Sequence, residues 1–358
     1  MKRLLPAGPL PDFDARRRGW VFYALPPVIV ALAVLCAYGW TECVAWIIAY
    51  APNRDLPPQA RYDPPVDSLR LLGVTQQLRI DVGPPRASIC VWIVDPPRRE
   101  GADLAPAEPL GAAGRAAVQG DRAPRGTILF LHGIRDRKES LLFAARRHAR
   151  RGYRCILVDA RGHGRSTGEW ITYGVQESRD CRQVIDALYE RGLVAGRLGV
   201  YGVSFGAATA LQYAGRDPRV AAVVAISAFS SMHEVVDDYV HCYLPLSTLV
   251  ADDWIERSIQ RAGRLAHFDP AQADCVSALA GSEAQVLLIH GTEDHNIPPE
   301  HSRRLQAASP ERTRLVLVED ADHNTITWDR TDVIWHESTA WFDRWLVAAA
   351  QQRAAARP

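Results

Sequence analysis

From Ser68 onward, short and continuously apolar segments alternate with segments of helical spacing. The apolar segments include residues 126–133 (GTILFLHG), 197–204 (RLGVYGVS) and 285–291 (QVLLIHG). Strands that are buried on both faces have this composition, and their alternation with helices predicts a mostly parallel sheet with helices on both faces. We predict eight strands, the first two forming a hairpin-like start, and a site at the carboxyl ends of the strands.

One long interruption breaks this alternation between the sixth and seventh predicted strands. About 55 residues separate Ala228 from Gln285, and most of them have helical, partly apolar spacing. We predict a helical cap inserted after strand six, at about residues 230–282. A cap of this kind excludes water and shapes a pocket.

Composition excludes some classes of partner. The chain has 358 residues with 42 basic and 41 acidic side chains, a formal charge of +1. This balance gives no electrostatic reason to expect a nucleic-acid partner. The seven cysteines contain no CxxC pair, so we expect buried thiols rather than a zinc site or a disulfide framework.

The N-terminal region differs from the rest of the chain. Residues 20–40 carry no charge over 21 positions, Arg16, Arg17 and Arg18 precede them, and no basic residue follows until Arg54. A run of this length can cross a bilayer as a helix. The positive-inside rule then predicts an anchor over residues 20–41, with residues 1–19 in the cytoplasm and the catalytic domain on the other side of the membrane.

We expect residues 42–67 to form a stalk or linker and residues 68–350 to form the folded domain. Two alternatives to the anchor are a cleaved signal peptide and a buried or interfacial helix. The apolar core is long and no clean small-residue cleavage site follows it, which disfavours the signal peptide.

The segment Gly202-Val203-Ser204-Phe205-Gly206 matches the pattern G-x-S-x-G between a predicted strand and a predicted helix. A tight turn of this kind needs residues without bulk on either side of a strained serine, whose hydroxyl then projects from the sheet. We therefore predict that Ser204 is a nucleophile. The alternative is a serine in an ordinary turn of small residues.

A serine hydroxyl needs a base, and the base needs an acid that orients it. His323 lies in a polar loop after the last predicted strand, and Asp294 follows the strand before it. We predict His323 as the base and Asp294 as the acid, in the chain order Ser204, Asp294, His323. Glu293 is the second candidate for the acid, and Asp320 and Asp322 are close enough in sequence to orient His323.

Acyl transfer also needs hydrogen-bond donors for the developing oxyanion. The backbone N–H of Phe205, directly after the nucleophile, is one predicted donor. The second predicted donor is the N–H of Ile134, in the loop after the third strand, with Arg135 as the alternative.

Taken together, the motifs FLHG, DARGHGRSTG, GVSFGAA, IHGTEDHNIP and ADHNTI resemble those of the alpha/beta hydrolase superfamily, from about residue 68 to residue 346. They look most like the branch that includes membrane-anchored monoacylglycerol and lysophospholipid lipases and prolyl-oligopeptidase-like hydrolases. The resemblance implies an alpha/beta hydrolase fold and the triad Ser204, Asp294 and His323. The chain departs from the oligopeptidases in having no propeller domain upstream.

These features predict a serine hydrolase that cleaves carboxylic esters, lipid-like or small, without a metal or an organic cofactor. Peptide, amide or thioester cleavage and acyl transfer are alternatives, because the same triad serves all of these reactions. A non-catalytic scaffold on the same fold is a further alternative.

Overall fold

The computed structural model describes residues 39–54, 64–97, 123–243, 252–328 and 330–348. Eight strands form one sheet in the order β1-β2-β4-β3-β5-β6-β7-β8. The strands are β1 (Gln76–Val82), β2 (Ala87–Val94), β3 (Thr127–Leu131), β4 (Arg154–Val158), β5 (Leu198–Val203), β6 (Val220–Ile226), β7 (Gln285–Gly291) and β8 (Thr313–Val318). β2 is antiparallel to β1 and to β4, and every other pair is parallel. The predicted eight-stranded, mostly parallel sheet and its hairpin-like start are confirmed.

Helices cover both faces of the sheet, as predicted. A helix α1 runs through residues 39–49. The others are α2 (Val66–Leu71), α3 (Leu142–Arg150), α4 (Val175–Glu190), α5 (Phe205–Arg216), α6 (Met232–Tyr243), α7 (Asp252–Ala266), α8 (Cys275–Ala280), α9 (Glu300–Ala308), α10 (Thr325–Trp328) and α11 (Thr331–Phe342). Alternate residues of each central strand enter different cores: Val200 packs in one and Tyr201 in the other.

The six cysteines in the described part of the chain are free thiols. Four are buried (Cys90, Cys155, Cys181 and Cys275), and Cys43 and Cys242 are exposed. Burial raises the pKa of Cys155 and of Cys181 well above the ordinary range, so these two thiols are packing residues.

The insertion between β6 and β7 contains α6, α7, a short 3₁₀ turn (Pro270–Gln272) and α8. Helix α6 begins at Met232, whose side chain is fully buried. Helix α8 lies against α5, where the Cys275 thiol is 3.5 Å from the carbonyl oxygen of Ala208. The range predicted as a cap therefore includes one helix, α8, that packs along a core helix.

The predicted anchor, residues 20–41, lies outside the described residues except for its last three positions, which belong to α1. Within the described ranges, no helix combines the length and the apolar character that a membrane crossing requires.

Helix α1 packs against the domain through its small apolar residues. Ala45 and Ala49 are fully buried, Glu42 forms an ion pair of 2.6 Å with Arg261 on α7, and the Tyr173 hydroxyl donates to the Ile48 carbonyl over 3.2 Å. The first part of the expected stalk, up to residue 54, thus lies against the folded domain through these contacts. Residues 55–63 of that segment are outside the described residues.

Candidate active site

Ser204 occupies a sharp turn between β5 and α5. Its φ of 53° and ψ of −116° lie in a region that non-glycine residues rarely adopt. A Cβ on Gly202 would lie 2.3 Å from the carbonyl oxygen of Gly206, and one on Gly206 would lie 2.1 Å from that of Leu131. Neither flanking position can therefore hold a side chain. The Ser204 N–H donates to Ile226 over 2.8 Å, which ties the turn to the neighbouring strand.

The structure brings the three predicted triad residues together at the carboxyl edge of the sheet. His323 follows β8 and Asp294 follows β7. The His323 Nε2 atom is 3.1 Å from Ser204 Oγ, and its Nδ1 atom is 2.7 Å from Asp294 Oδ2. Because a carboxylate only accepts, Nδ1 carries the proton and Nε2 is left to accept the Ser204 proton. This is the geometry that a nucleophile, a base and an orienting acid require.

The Asp294 carboxylate is buried and held on both oxygens. Its Oδ1 accepts the N–H groups of Asn296 (3.1 Å) and Ile297 (2.9 Å). Its Oδ2 faces His290 Nε2 at 3.4 Å as well as His323. Burial alone would raise the pKa of Asp294, but the hydrogen bonds from His290 and His323 outweigh burial and hold that pKa well below its usual range. The acid is therefore ionised at neutral pH.

The other candidate acids have different partners. The Glu293 side chain is 57% exposed and lies 3.7 Å from His295. The Asp322 carboxylate accepts the N–H groups of Asn324 (2.7 Å) and Thr325 (2.8 Å), so it caps α10. Of the predicted acids, Asp294 is the one that contacts His323.

One predicted oxyanion donor directly follows the nucleophile, and the other belongs to a loop that passes next to it. Phe205 is the first residue of α5, where N–H groups have no partner within the helix and the helix dipole favours negative charge. A Cβ built on Gly133 would be 3.8 Å from Ser204 Cβ, so the loop that carries Ile134 passes next to the serine. The donor roles of Phe205 and Ile134 remain predictions.

Sequence reasoning missed Tyr239, which reaches the site from α6. Its side chain lies near Ser204, and their interaction lowers the pKa of the Tyr239 hydroxyl against the larger effect of burial. Burial raises the pKa of Tyr239, so the phenol keeps its proton. No motif marks this residue, since its position depends on how α6 is docked.

A buried network docks α6 onto the core. His301, on α9, is fully buried, and its Nδ1 accepts the N–H of Ser230 over 3.0 Å. Its Nε2 therefore carries the proton and donates to Asp238 Oδ2 over 2.6 Å. The Ser230 hydroxyl also bonds Glu234. Asp238 and Glu234 are on α6, so this network holds the helix that carries Tyr239.

Similar folds occur among solved structures. A Pyrococcus furiosus esterase aligns with a TM-score of 0.56 and 17% identity, over 77% of this chain and 94% of that one. A Pyrococcus horikoshii acylaminoacyl peptidase aligns with a TM-score of 0.54 and 14% identity, over 80% of this chain and 44% of that one. A model of the S15 family, described as X-Pro dipeptidyl-peptidase, matches residues 129–254. The chain therefore has the alpha/beta hydrolase fold.

The chain also resembles two curated proteins that are described as uncharacterized. YfhR of Escherichia coli is 28% identical over 190 residues, which are 52% of this chain and 59% of that protein. YqkD of Bacillus subtilis is 26% identical over 203 residues, which are 55% of this chain and 64% of that protein. The match thus spans about three fifths of each relative's length. The S15 match includes Ser204 and ends before Asp294 and His323.

Proposed function

We propose that this protein is a serine hydrolase that cleaves carboxylic esters through an acyl-enzyme. The carrying observation is the continuous hydrogen-bonded chain from Ser204 through His323 to Asp294, with distances of 3.1 and 2.7 Å. Ser204 Oγ bonds to the carbonyl carbon while His323 Nε2 takes its proton. The N–H groups of Phe205 and Ile134 stabilise the oxyanion.

The second half of the reaction uses the same groups. His323 returns the proton to the leaving alkoxide, so the alcohol departs and Ser204 remains acylated. Water then attacks the acyl carbon, His323 accepts one water proton, and that proton passes to Ser204 Oγ as the acid is released. Asp294 stabilises the imidazolium in both halves. These side chains and the backbone perform every step, and the proposal includes no cofactor.

Peptide cleavage is the second candidate function. The match of residues 129–254 to the X-Pro dipeptidyl-peptidase model favours it, and the triad serves amides as well as esters. Ester cleavage requires less stabilisation of the leaving group by the site, because an alkoxide leaves more readily than an amine. The two functions are separated by rates on matched ester and amide substrates.

The first experiment uses the full-length chain in detergent. A fluorophosphonate probe is expected to label the wild type and Ser140→Ala, an exposed serine, but not Ser204→Ala. Hydrolysis of p-nitrophenyl esters from two to sixteen carbons, compared with the corresponding anilides, then ranks the substrates. A folded wild type that resists labelling and hydrolyses none of them would support the scaffold alternative.

We also propose that residues 20–41 anchor the protein in a membrane, with the catalytic domain opposite the cytoplasm. The uncharged run of 21 residues and the preceding arginines support this. A reporter that is active only outside the cytoplasm, fused after Arg61, is expected to be active, and the same reporter fused after Arg18 is not. The reverse pattern would contradict the proposed topology.

A further inference from the structure

A polar cleft of about 410 Å³ lies beside the loop that carries the predicted oxyanion donor. Its lining comes from three segments at the carboxyl edge of the sheet: Pro52 and Asn53, then Arg135, Asp136 and Arg137, then Gly164 and Arg165. We call it the arginine cleft. A volume of this size holds a small charged group and part of the molecule that carries it.

The charges of the arginine cleft favour an anion. Arg135 and Arg137 are exposed, and within the described part of the chain no ion pair joins either guanidinium to a carboxylate. Asp136 uses its carboxylate to accept the Arg137 backbone N–H over 2.8 Å. Arg165 is paired with Glu139. Two guanidinium groups are thus left facing one carboxylate in a concave site.

A buried ion pair holds the two walls of the cleft in place. Lys138 and Asp159 are fully buried, and Lys138 Nζ is 2.6 Å from Asp159 Oδ2. Asp159 also accepts the N–H groups of Lys138 (2.8 Å) and Arg165 (2.9 Å). One carboxylate therefore joins the loop after β3 to the loop after β4. The cleft is formed before any ligand arrives, which reduces the entropy cost of binding.

Arg135 also connects the cleft to the nucleophile. Gly133, two residues earlier, passes next to Ser204. The positive charge of Arg135 acts on the hydroxyls of Tyr239 and Tyr173 and opposes the effect of burial on their pKa. Tyr239 lies near Ser204, so the guanidinium lies within electrostatic range of the reacting atoms.

We propose that the arginine cleft binds a phosphate or carboxylate group carried by the ester substrate while Ser204 attacks the ester carbon. This proposal rests on the proposed ester hydrolysis. Guanidinium groups bind such anions through paired, charge-assisted hydrogen bonds. The cleft thereby selects esters with an anionic group over neutral esters of the same chain length.

The test compares pairs of esters that differ in one anionic group. The first pair is 1-lauroylglycerol and its 3-phosphate, with the anion on the alcohol side. The second is p-nitrophenyl butyrate and p-nitrophenyl hemisuccinate, with the anion on the acyl side. The measured quantity is the ratio of kcat/KM for the anionic ester to that for the neutral ester, at fixed ionic strength with full-length protein in detergent.

We expect the ratio to exceed one in at least one pair, and that pair shows which side of the ester carries the anion. Arg137→Gln and Arg135→Gln are each expected to lower the ratio at least about tenfold, the size of one hydrogen bond to a charged group. Arg150→Gln, an exposed arginine at the end of α3, is the control and is expected to leave the ratio unchanged. Ratios that both cleft variants leave unchanged would overturn the proposal.

A second measurement needs no turnover, so it separates this proposal from the proposed function. Ser204→Ala protein is titrated by calorimetry with glycerol 3-phosphate, succinate and glycerol. We expect one of the two anions to bind, glycerol not to bind, and Arg137→Gln to weaken the anion's binding. If neither anion binds, or Arg137→Gln changes nothing, the cleft is not an anion site, whatever the enzyme hydrolyses.

Discussion

His301 Nε2, on α9, lies 2.6 Å from Asp238 Oδ2, on cap helix α6. The contact joins the core of the domain to the helix whose next residue, Tyr239, lies near Ser204. The position of the phenol near the nucleophile therefore depends on a histidine for which the structure gives no contact with the triad.

Replacing His301 tests this dependence. His301→Phe leaves the Ser230 N–H and the Asp238 carboxylate without their partner, and we expect the free energy of unfolding to fall by about 2 kcal/mol. Ester hydrolysis is expected to fall as well, because α6 loses its connection to the core. His295→Phe is the control, since its side chain is 82% exposed. Urea unfolding monitored by fluorescence measures the stability of both variants, and a p-nitrophenyl ester assay measures their activity. Equal stability of the two variants would contradict the role of the network.

The Tyr239 hydroxyl is expected to contribute directly to the rate. Tyr239→Phe keeps the ring and removes the hydroxyl next to Ser204, so kcat/KM for a p-nitrophenyl ester should fall about tenfold without a change in stability. Tyr189→Phe, on the exposed face of α4, is the control. A Tyr239→Phe variant as active as the wild type would show that this contact plays no part in the reaction.

If Asp294 is the acid, removing the charge of its side chain should cause a large loss of activity. Asp294→Asn should lower kcat about 10⁴-fold, because the neutral amide no longer stabilises the protonated imidazole or selects its tautomer. Glu293→Gln, one residue away and 57% exposed, is expected to keep nearly full activity. Stopped assays with both purified variants decide the matter. A reversal of the two results would move the acid to Glu293.

Two buried histidines predict how stability changes with pH. Burial lowers the pKa of His148 to about 4 and that of His163 to about 3. In the unfolded chain both titrate near the ordinary value of about 6.5. Below that pH the unfolded state takes up protons that the folded state excludes, so stability should fall as pH falls from about 6.5 towards 4.

The urea midpoint at pH 7, 6 and 5 measures this effect. In His148→Phe the urea midpoint is expected to fall less between pH 7 and pH 5, because one of the two titrating groups is gone. His295→Phe, exposed in the folded state, should show the wild-type drop. An unchanged drop in His148→Phe would mean that other groups cause the acid sensitivity.

Much of the fold and of the candidate site could be predicted from the sequence, because the relevant signals are local. Strands such as β3 and β6 are buried at every position and apolar at all of them except Thr127, which is the pattern of a strand buried on both faces. Ser204, Asp294 and His323 each follow a strand of a parallel sheet. The carboxyl ends of such strands meet at one edge, so the three residues were expected to converge.

Other features depend on packing between distant segments. The helix that contains Ala45 and Ala49 has a composition that suits either a bilayer or a protein surface. Only the contacts in the folded structure show that it packs against the domain. His290 lies near the end of β7, and its Nε2 faces the Asp294 carboxylate. Neither contact could be predicted from the spacing of residues in the sequence.

The sequence by itself determined the sheet, the order of the triad and the turn that presents Ser204, because hydrophobic periodicity and glycine requirements are properties of neighbouring residues. Only the tertiary structure decided that Tyr239 reaches the nucleophile, that His301 holds its helix, and that Arg135 and Arg137 line one cleft. These relationships join residues far apart in the chain, and their geometry follows from how helices and loops pack on the sheet.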